Sequence, residues 1–116
     1  MNLISSDIIR GCNDTIILSI LLDGSSYGYE ISKSIRNITN DQYIIKETTL
    51  YSAFTRLEKN NYIESFPGDE TFGKKRTYYK ITELGIKYYK EKCKEWKVTK
   101  DVIDKFIKEM YIDGNN

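Results

Sequence analysis

Thr48, Ser52, Thr55 and Lys59 follow one another at spacings of four, three and four. On a helix turning about 100° per residue, these four side chains share one face. Three hydroxyls and an ammonium make a surface of donors and acceptors carrying one positive charge. Such a surface suits contact with nucleic-acid base edges and phosphates. Thr and Ser discriminate bases weakly, and the row has no bidentate Arg or Asn, so the same pattern also fits a plain solvated helix face. A second group is basic: Lys74, Lys75, Arg76 and Lys80 occur with no acidic residue among them. A local patch of this kind binds phosphate even on a chain whose net charge is only +1. Asp69 and Glu70 lie just before it and oppose phosphate.

What the chain lacks excludes other chemistry. Among its 116 residues there is no His, and Cys12 and Cys93 are its only cysteines. A structural zinc site takes about four Cys/His ligands, so no metal is expected. A His-dependent triad is impossible, and the Gly-rich phosphate loops are missing. No catalytic residue and no cofactor are therefore expected. Two distant cysteines without a CxxC motif read as free thiols in a reducing compartment. No apolar run approaches the ~18 residues of a membrane span. Met1–Asp7 has no basic region and no small-residue cleavage site, so a cytoplasmic location is the expectation. A length of 116 residues and only one proline fit a single compact domain.

The elements that would position these groups follow from periodicity. Ser6 to Leu22 reads as a helix, with Ile8, Cys12, Ile16 and Ile20 in one row and Ile9, Ile17 and Leu21 beside it. Gly11 costs about 1 kcal/mol relative to Ala inside a helix. Either the helix absorbs that, or it starts later, with Asn13 or Asp14 as its cap. Asp23–Ser26 is a stop followed by a Ser cap. A second helix runs from about Tyr27 to Ile38, burying Ile31, Ile35 and Ile38. Thr39–Asp41 breaks it, and Tyr43–Ile45 is extended.

The third helix runs from about Glu47 to Asn60, with Leu50, Ala53, Phe54 and Leu57 inward and the hydroxyl row outward. Tyr62–Phe66 and Lys75–Ile81 then alternate as strands around a turn-rich loop at 67–73. Thr82 caps a last helix that reaches toward Tyr111. The predicted fold is mainly α (α+β): a winged helix-turn-helix with a two-stranded wing over residues 1–81, and a long C-terminal dimerisation helix over 82–116. On that helix Tyr89, Cys93, Trp96, Ile103, Ile107 and Met110 form an apolar stripe flanked by Leu84, Tyr88, Val102 and Phe106. A core of about 80 residues cannot cover both flanks, so a homodimer is expected.

Four motifs resemble the PadR family of winged-helix transcriptional regulators. They are Ile9-Arg10-Gly11, Tyr27-Gly28-Tyr29-Glu30-Ile31, Thr49 through Glu58, and Tyr79 through Gly85, and they span nearly the whole chain in order. The short C-terminal part is similar to the compact subgroup with one dimerisation helix. The resemblance implies a dimeric repressor on a pseudo-palindromic operator in double-stranded DNA, in many relatives released by a planar aromatic small molecule. Thr48 stands where the family often has a small residue, and Ser52 where it often has Pro, so a sequence preference cannot be carried over.

Under that resemblance the DNA-contacting set is Lys46, Thr48, Thr49, Tyr51, Ser52, Thr55 and Lys59, with Lys74, Lys75 and Arg76 at the wing tip. Tyr51 is favoured as a phosphate contact over half-buried packing, Tyr27 as core, and Arg56 and Glu58 as structural. Trp96, with Tyr89 and Cys93 as walls, is the candidate ligand site, although a Trp there also simply fills an interface. Tyr89, Trp96, Ile103, Phe106, Ile107 and Met110 form the expected dimer interface. The rival is a winged helix that binds protein without specific DNA contact, which the near-neutral charge favours and the basic wing opposes.

Overall fold

Gly11 divides the first helical segment. In the computed structural model, which describes residues 4–71 and 73–112, α1 (Ser6–Ile9) gives way to a 3-10 turn at Arg10–Cys12 before α2 (Asn13–Leu21) begins. The helix does restart after Gly11, but neither Asn13 nor Asp14 caps it: both lie in its first turn, Cys12 precedes it, and no side chain caps the end. Ile17, Leu18 and Leu21 are the buried apolar residues of α2, and Ile9, Ile16 and Ile20 lie only partly covered. Ile8, expected in the inward row, is 72% exposed because α1 is offset from α2 by the turn.

Ser26 does not cap the next helix, and Tyr27 is not its first residue. They form a two-residue strand, β1, paired antiparallel to Tyr79 and Tyr78. Tyr27, extended at φ −126°, is then the residue preceding α3 (Gly28–Ile38). The Ser26 hydroxyl donates to the Glu30 carboxylate (2.6 Å) and caps no backbone N–H. Ile31 and Ile35 are buried, but Ile38 is 73% exposed. It is the last residue of the helix, and nothing among the described residues covers it. Asn40 and Asp41 take positive φ there, and Asp41 N–H donates to the Arg36 carbonyl (2.8 Å), closing the helix end.

The helix α4 (Glu47–Lys59) buries Leu50, Ala53, Phe54 and Leu57, as its periodicity requires. It ends in the same way as α3. Asn61 sits at φ 62°, Tyr62 N–H donates to the Leu57 carbonyl (2.9 Å), and Asn61 N–H to that of Glu58 (3.0 Å). The Phe54 ring stacks on Tyr79 at 4.1 Å, which ties α4 to the sheet. Tyr43 and Ile45, in the extended connection, fill the core between α3 and α4. The Tyr43 hydroxyl donates to Asn13 Oδ1 (2.6 Å), so both buried polar groups are satisfied.

The wing is longer than expected, and its sheet has three strands in the order β1-β3-β2. The strands are β2 (Ile63–Thr71) and β3 (Lys74–Ile81), so most of the 67–73 stretch is strand. Pro67 is tolerated because β2 is an edge strand. The ladder slips between Pro67 and Glu70. Gly68 is needed beside the slip, since a Cβ there would lie 2.0 Å from the Tyr78 ring.

Thr82 caps α5 (Glu83–Asp104) as expected. Its hydroxyl accepts from Gly85 N–H (2.9 Å) and donates to the Asn61 carbonyl (2.7 Å). The helix docks on α2 through its first turns, and Tyr88 stacks on Tyr62 at 4.1 Å. It stops at Asp104, short of Tyr111, so Phe106, Ile107 and Met110 lie beyond it and the helical stripe does not reach them. Every described residue from Lys94 to Ile112 is exposed, so no packing within the chain extends the helix. None of the helices among the described residues is long and apolar enough to cross a membrane.

Candidate nucleic-acid interface

The buried quartet of α4 fixes its rotation, and the opposite side therefore faces solvent. Thr48, Ser52, Thr55 and Lys59 are all exposed there, on one side of one helix. The Thr55 hydroxyl donates back to the Tyr51 carbonyl (3.1 Å), so it presents lone pairs outward and no proton. Lys46 is exposed at the residue preceding the helix, and Thr49 is half-buried on its flank. Glu47, in the first turn, is the acidic exception on this surface.

Tyr51 occupies the other flank. Its ring meets Phe54 edge-on at 5.4 Å, and 46% of the residue is exposed. The hydroxyl lies against Gly28, the first residue of α3. Tyr29, 71% exposed, stands beside it. The structure thus places two phenols at the N-terminus of α3, where unpaired backbone N–H groups and the helix dipole favour anions.

Arg76 departs from the expected wing tip. Lys74 and Lys75 open β3 next to the turn, and Lys75 is exposed, while the side chain of Lys74 lies outside the described residues. Arg76 lies instead on the stem, with its guanidinium 4.3 Å from the centre of the Tyr27 ring. Tyr27 also meets Tyr78 at 5.2 Å, and Tyr78 meets Phe66 at 5.7 Å. One aromatic row therefore crosses all three strands on the outer face of the sheet. Strand alternation hid this row, because it depends on β1, which has too few residues to show a period. Lys80, the fourth cation of the basic run, pairs with Glu64 across the strands (3.5 Å).

Arg56 and Glu58 are structural, though not with each other. Arg56 grips Asp14 of α2 through two hydrogen bonds, one of them from Nε at 3.3 Å. That bond raises its already high pKa further. Glu58 accepts from the Ser65 hydroxyl (2.6 Å), linking α4 to β2. Burial pushes the phenols of Tyr43, Tyr79 and Tyr88 above their ordinary value.

The aromatic candidates on α5 separate. Trp96, half-exposed, borders an open apolar cleft of about 570 Å³ whose other wall is Ile4, Ile8, Cys12 and Ile16. Tyr89 and Cys93 are half-buried one and two turns earlier, and the cleft lining does not include them. Ile103, Phe106, Ile107 and Met110 are exposed on and beyond the end of α5. Among the described residues, no group of three or more metal-ligating side chains comes together.

Residues 17–91 match the model of the transcriptional regulator PadR-like family. A transcriptional regulator of Clostridium thermocellum has a solved structure 67% identical in sequence, with a TM-score of 0.85 over 91% of this chain and 100% of that one. A PadR family transcription regulator of Clostridium difficile is 36% identical, with a TM-score of 0.69 over 80% of this chain and 95% of that one. A protein of uncharacterised function from Lysinibacillus sphaericus is 51% identical over 105 residues, covering 90% of this chain and 96% of its own.

Proposed function

The chain belongs to the PadR-like family of transcriptional regulators, and from that premise we propose that it is a homodimeric repressor that occludes a promoter. Family membership carries DNA-binding regulation. The observation that supports this surface as the reader is the outward row of Thr48, Ser52, Thr55 and Lys59, held in place by the buried face of α4. In a helix-turn-helix, such a face enters the major groove. Lys46, Thr49 and Tyr51 flank it, and Lys74, Lys75 and Arg76 serve the backbone from the wing.

Hydroxyls read bases less sharply than a bidentate Arg or Asn, so DNA shape supplies part of the specificity. Two such heads engage half-sites about one helical turn apart on a pseudo-palindromic operator. The exposed apolar residues of α5 and its extension, among them Trp96, Ile103, Phe106, Ile107 and Met110, favour a second copy as their cover. The Trp96 cleft has the size and lining for a planar aromatic ligand, with Tyr89 and Cys93 of the same helix close by in sequence. Binding there would release DNA through its unequal affinity for the two dimer states.

The test is a salt-dependent mobility shift on DNA from immediately upstream of the gene, with unrelated DNA as competitor. Bands that survive competitor are expected. If each subunit neutralises about 3–4 phosphates, log K falls with log[salt] at a slope of roughly −5 to −7. A slope near −1, or no retardation at low salt, would favour the rival protein-binding module. Titrating planar aromatic compounds against Trp96 fluorescence tests the ligand role, and no quenching by any of them would assign Trp96 to packing.

A further inference from the structure

Beside the groove-facing row lies a polar cleft of about 490 Å³ between the 3-10 turn, the N-terminal half of α4 and α5. Arg10 reaches it from the turn, Lys92 from α5, and Thr48, Thr49, Ser52 and Arg56 from α4. Its one carboxylate, Asp14, is already gripped by Arg56 through two hydrogen bonds. Neither Arg10 nor Lys92 makes an ion pair with a carboxylate of the cleft itself. Each has a carboxylate outside it: Arg10 holds Asp7 at 3.1 Å and Lys92 holds Glu95 at 3.4 Å. Those are surface pairs three residues apart, of a kind that contributes little and opens readily. An oxyanion between the two cations would gain charge-assisted bonds that the surface pairs do not supply. The Lys92 ammonium also stays within 5.6 Å of the Tyr88 ring, which holds the side chain over the cleft.

We propose that this cleft seats one phosphate group per subunit, held by Arg10 and Lys92 and by the hydroxyls of Thr49 and Ser52. The proposal rests on the DNA-binding reading only for one of its two sources. A phosphodiester of the DNA backbone reaches the seat when α4 enters the groove, because Thr48 and Ser52 belong to both surfaces. A free phosphate reaches it in solution and competes for the same hydroxyls. Arg10, on the 3-10 turn, and Lys92, on α5, lie outside both the groove-facing row of α4 and the wing.

The experiment uses the intact protein and the double variant Arg10→Gln/Lys92→Gln. Lys33→Gln/Lys97→Gln is the control, removing the same charge elsewhere on the surface. Thermal melts establish that all three fold. In the DNA arm, the slope of log K against log[salt] is expected to become shallower by about 2 per dimer in the Arg10/Lys92 variant relative to the control. In the anion arm, sodium phosphate is titrated against sodium chloride at constant ionic strength while backbone amide shifts are followed. Saturable, phosphate-specific shifts at Thr49, Ser52 and Arg10 that vanish in the variant are expected. A shallower slope without these shifts names the DNA backbone as the occupant. Shifts with an unchanged slope name the free anion. An unchanged slope with no phosphate-specific shifts overturns the seat. Should the wild-type protein bind no DNA, the repressor reading falls, and the anion arm alone decides the seat.

Discussion

A Cβ at Gly28 would lie 2.5 Å from the Tyr51 hydroxyl oxygen, the far end of a side chain free to swing away. Gly28→Ala is therefore expected to leave stability within about 1 kcal/mol, the helix-propensity gain offsetting the displaced phenol. DNA affinity is expected to fall about tenfold, or ~1.4 kcal/mol, if Tyr51 touches phosphate. Paired thermal melts and binding curves separate the two effects, and unchanged affinity would assign Tyr51 to packing. Tyr43, Tyr79 and Tyr88 carry a second consequence. Burial raises their pKa in the folded state, so the unfolded chain loses these protons first. Their contribution is full below the ordinary tyrosine pKa of about 10 and is lost as pH rises past it. Denaturant melts are expected to show stability falling above pH ~10, and Tyr43→Phe should blunt the fall. At this scale the exposed row of α4 was legible because four buried apolar residues force it outward. Arg76 was not, because its partner ring, on Tyr27, lies about fifty positions earlier in the chain.

Among the elements, the junction of the wing with α5 is closed by backbone. A Cβ on Gly85 would fall 2.1 Å from the Tyr62 carbonyl oxygen, a backbone atom that cannot move aside. Gly85→Ala is expected to cost on the order of 1–3 kcal/mol. Thr82→Ala, which removes the cap and the bond to Asn61, should cost about 1 kcal/mol. Thermal denaturation checks both, and a Gly85→Ala protein as stable as wild type would contradict the packing described. The three helices of the head were readable because their apolar residues repeat every three or four positions. The outer half of the wing was not. Pro67, Gly68 and Asp69 are turn formers by local chemistry, and only the pairing of Pro67, Glu70 and Thr71 to β3, on either side of the slip, carries the strand through them. The end of α5 was misread for the converse reason: its apolar spacing persists past Asp104 although the helix does not.

The whole molecule is elongated, 58 × 30 × 21 Å, with a radius of gyration of 16.6 Å. A compact domain of this length would have about 13 Å. The excess comes from α5, which beyond Trp96 stands clear of the head with Val102 and Ile103 exposed. Sedimentation at micromolar concentration is expected to give a species of twice the 13.6 kDa chain mass. Ile103→Asp should shift it toward monomer and weaken DNA binding, since two linked heads bind far better than one. A wild-type monomer would remove the dimer from the proposed mechanism. The homodimer expectation rests on an apolar stripe too long for the core, and residues 94–112 remain exposed within the chain.

The β1–β3 ladder also bears on biosynthesis. Ser26 and Tyr27 find no partner until Tyr78 and Tyr79 have been made. At about 5–20 residues per second, roughly 3–10 s separate the two. The segments of α2, α3 and α4 are therefore all made before the sheet that locks them can form. The helix that carries the hydroxyl row is made before the strand that completes the sheet, and the β1–β3 ladder closes only once Tyr79 is available.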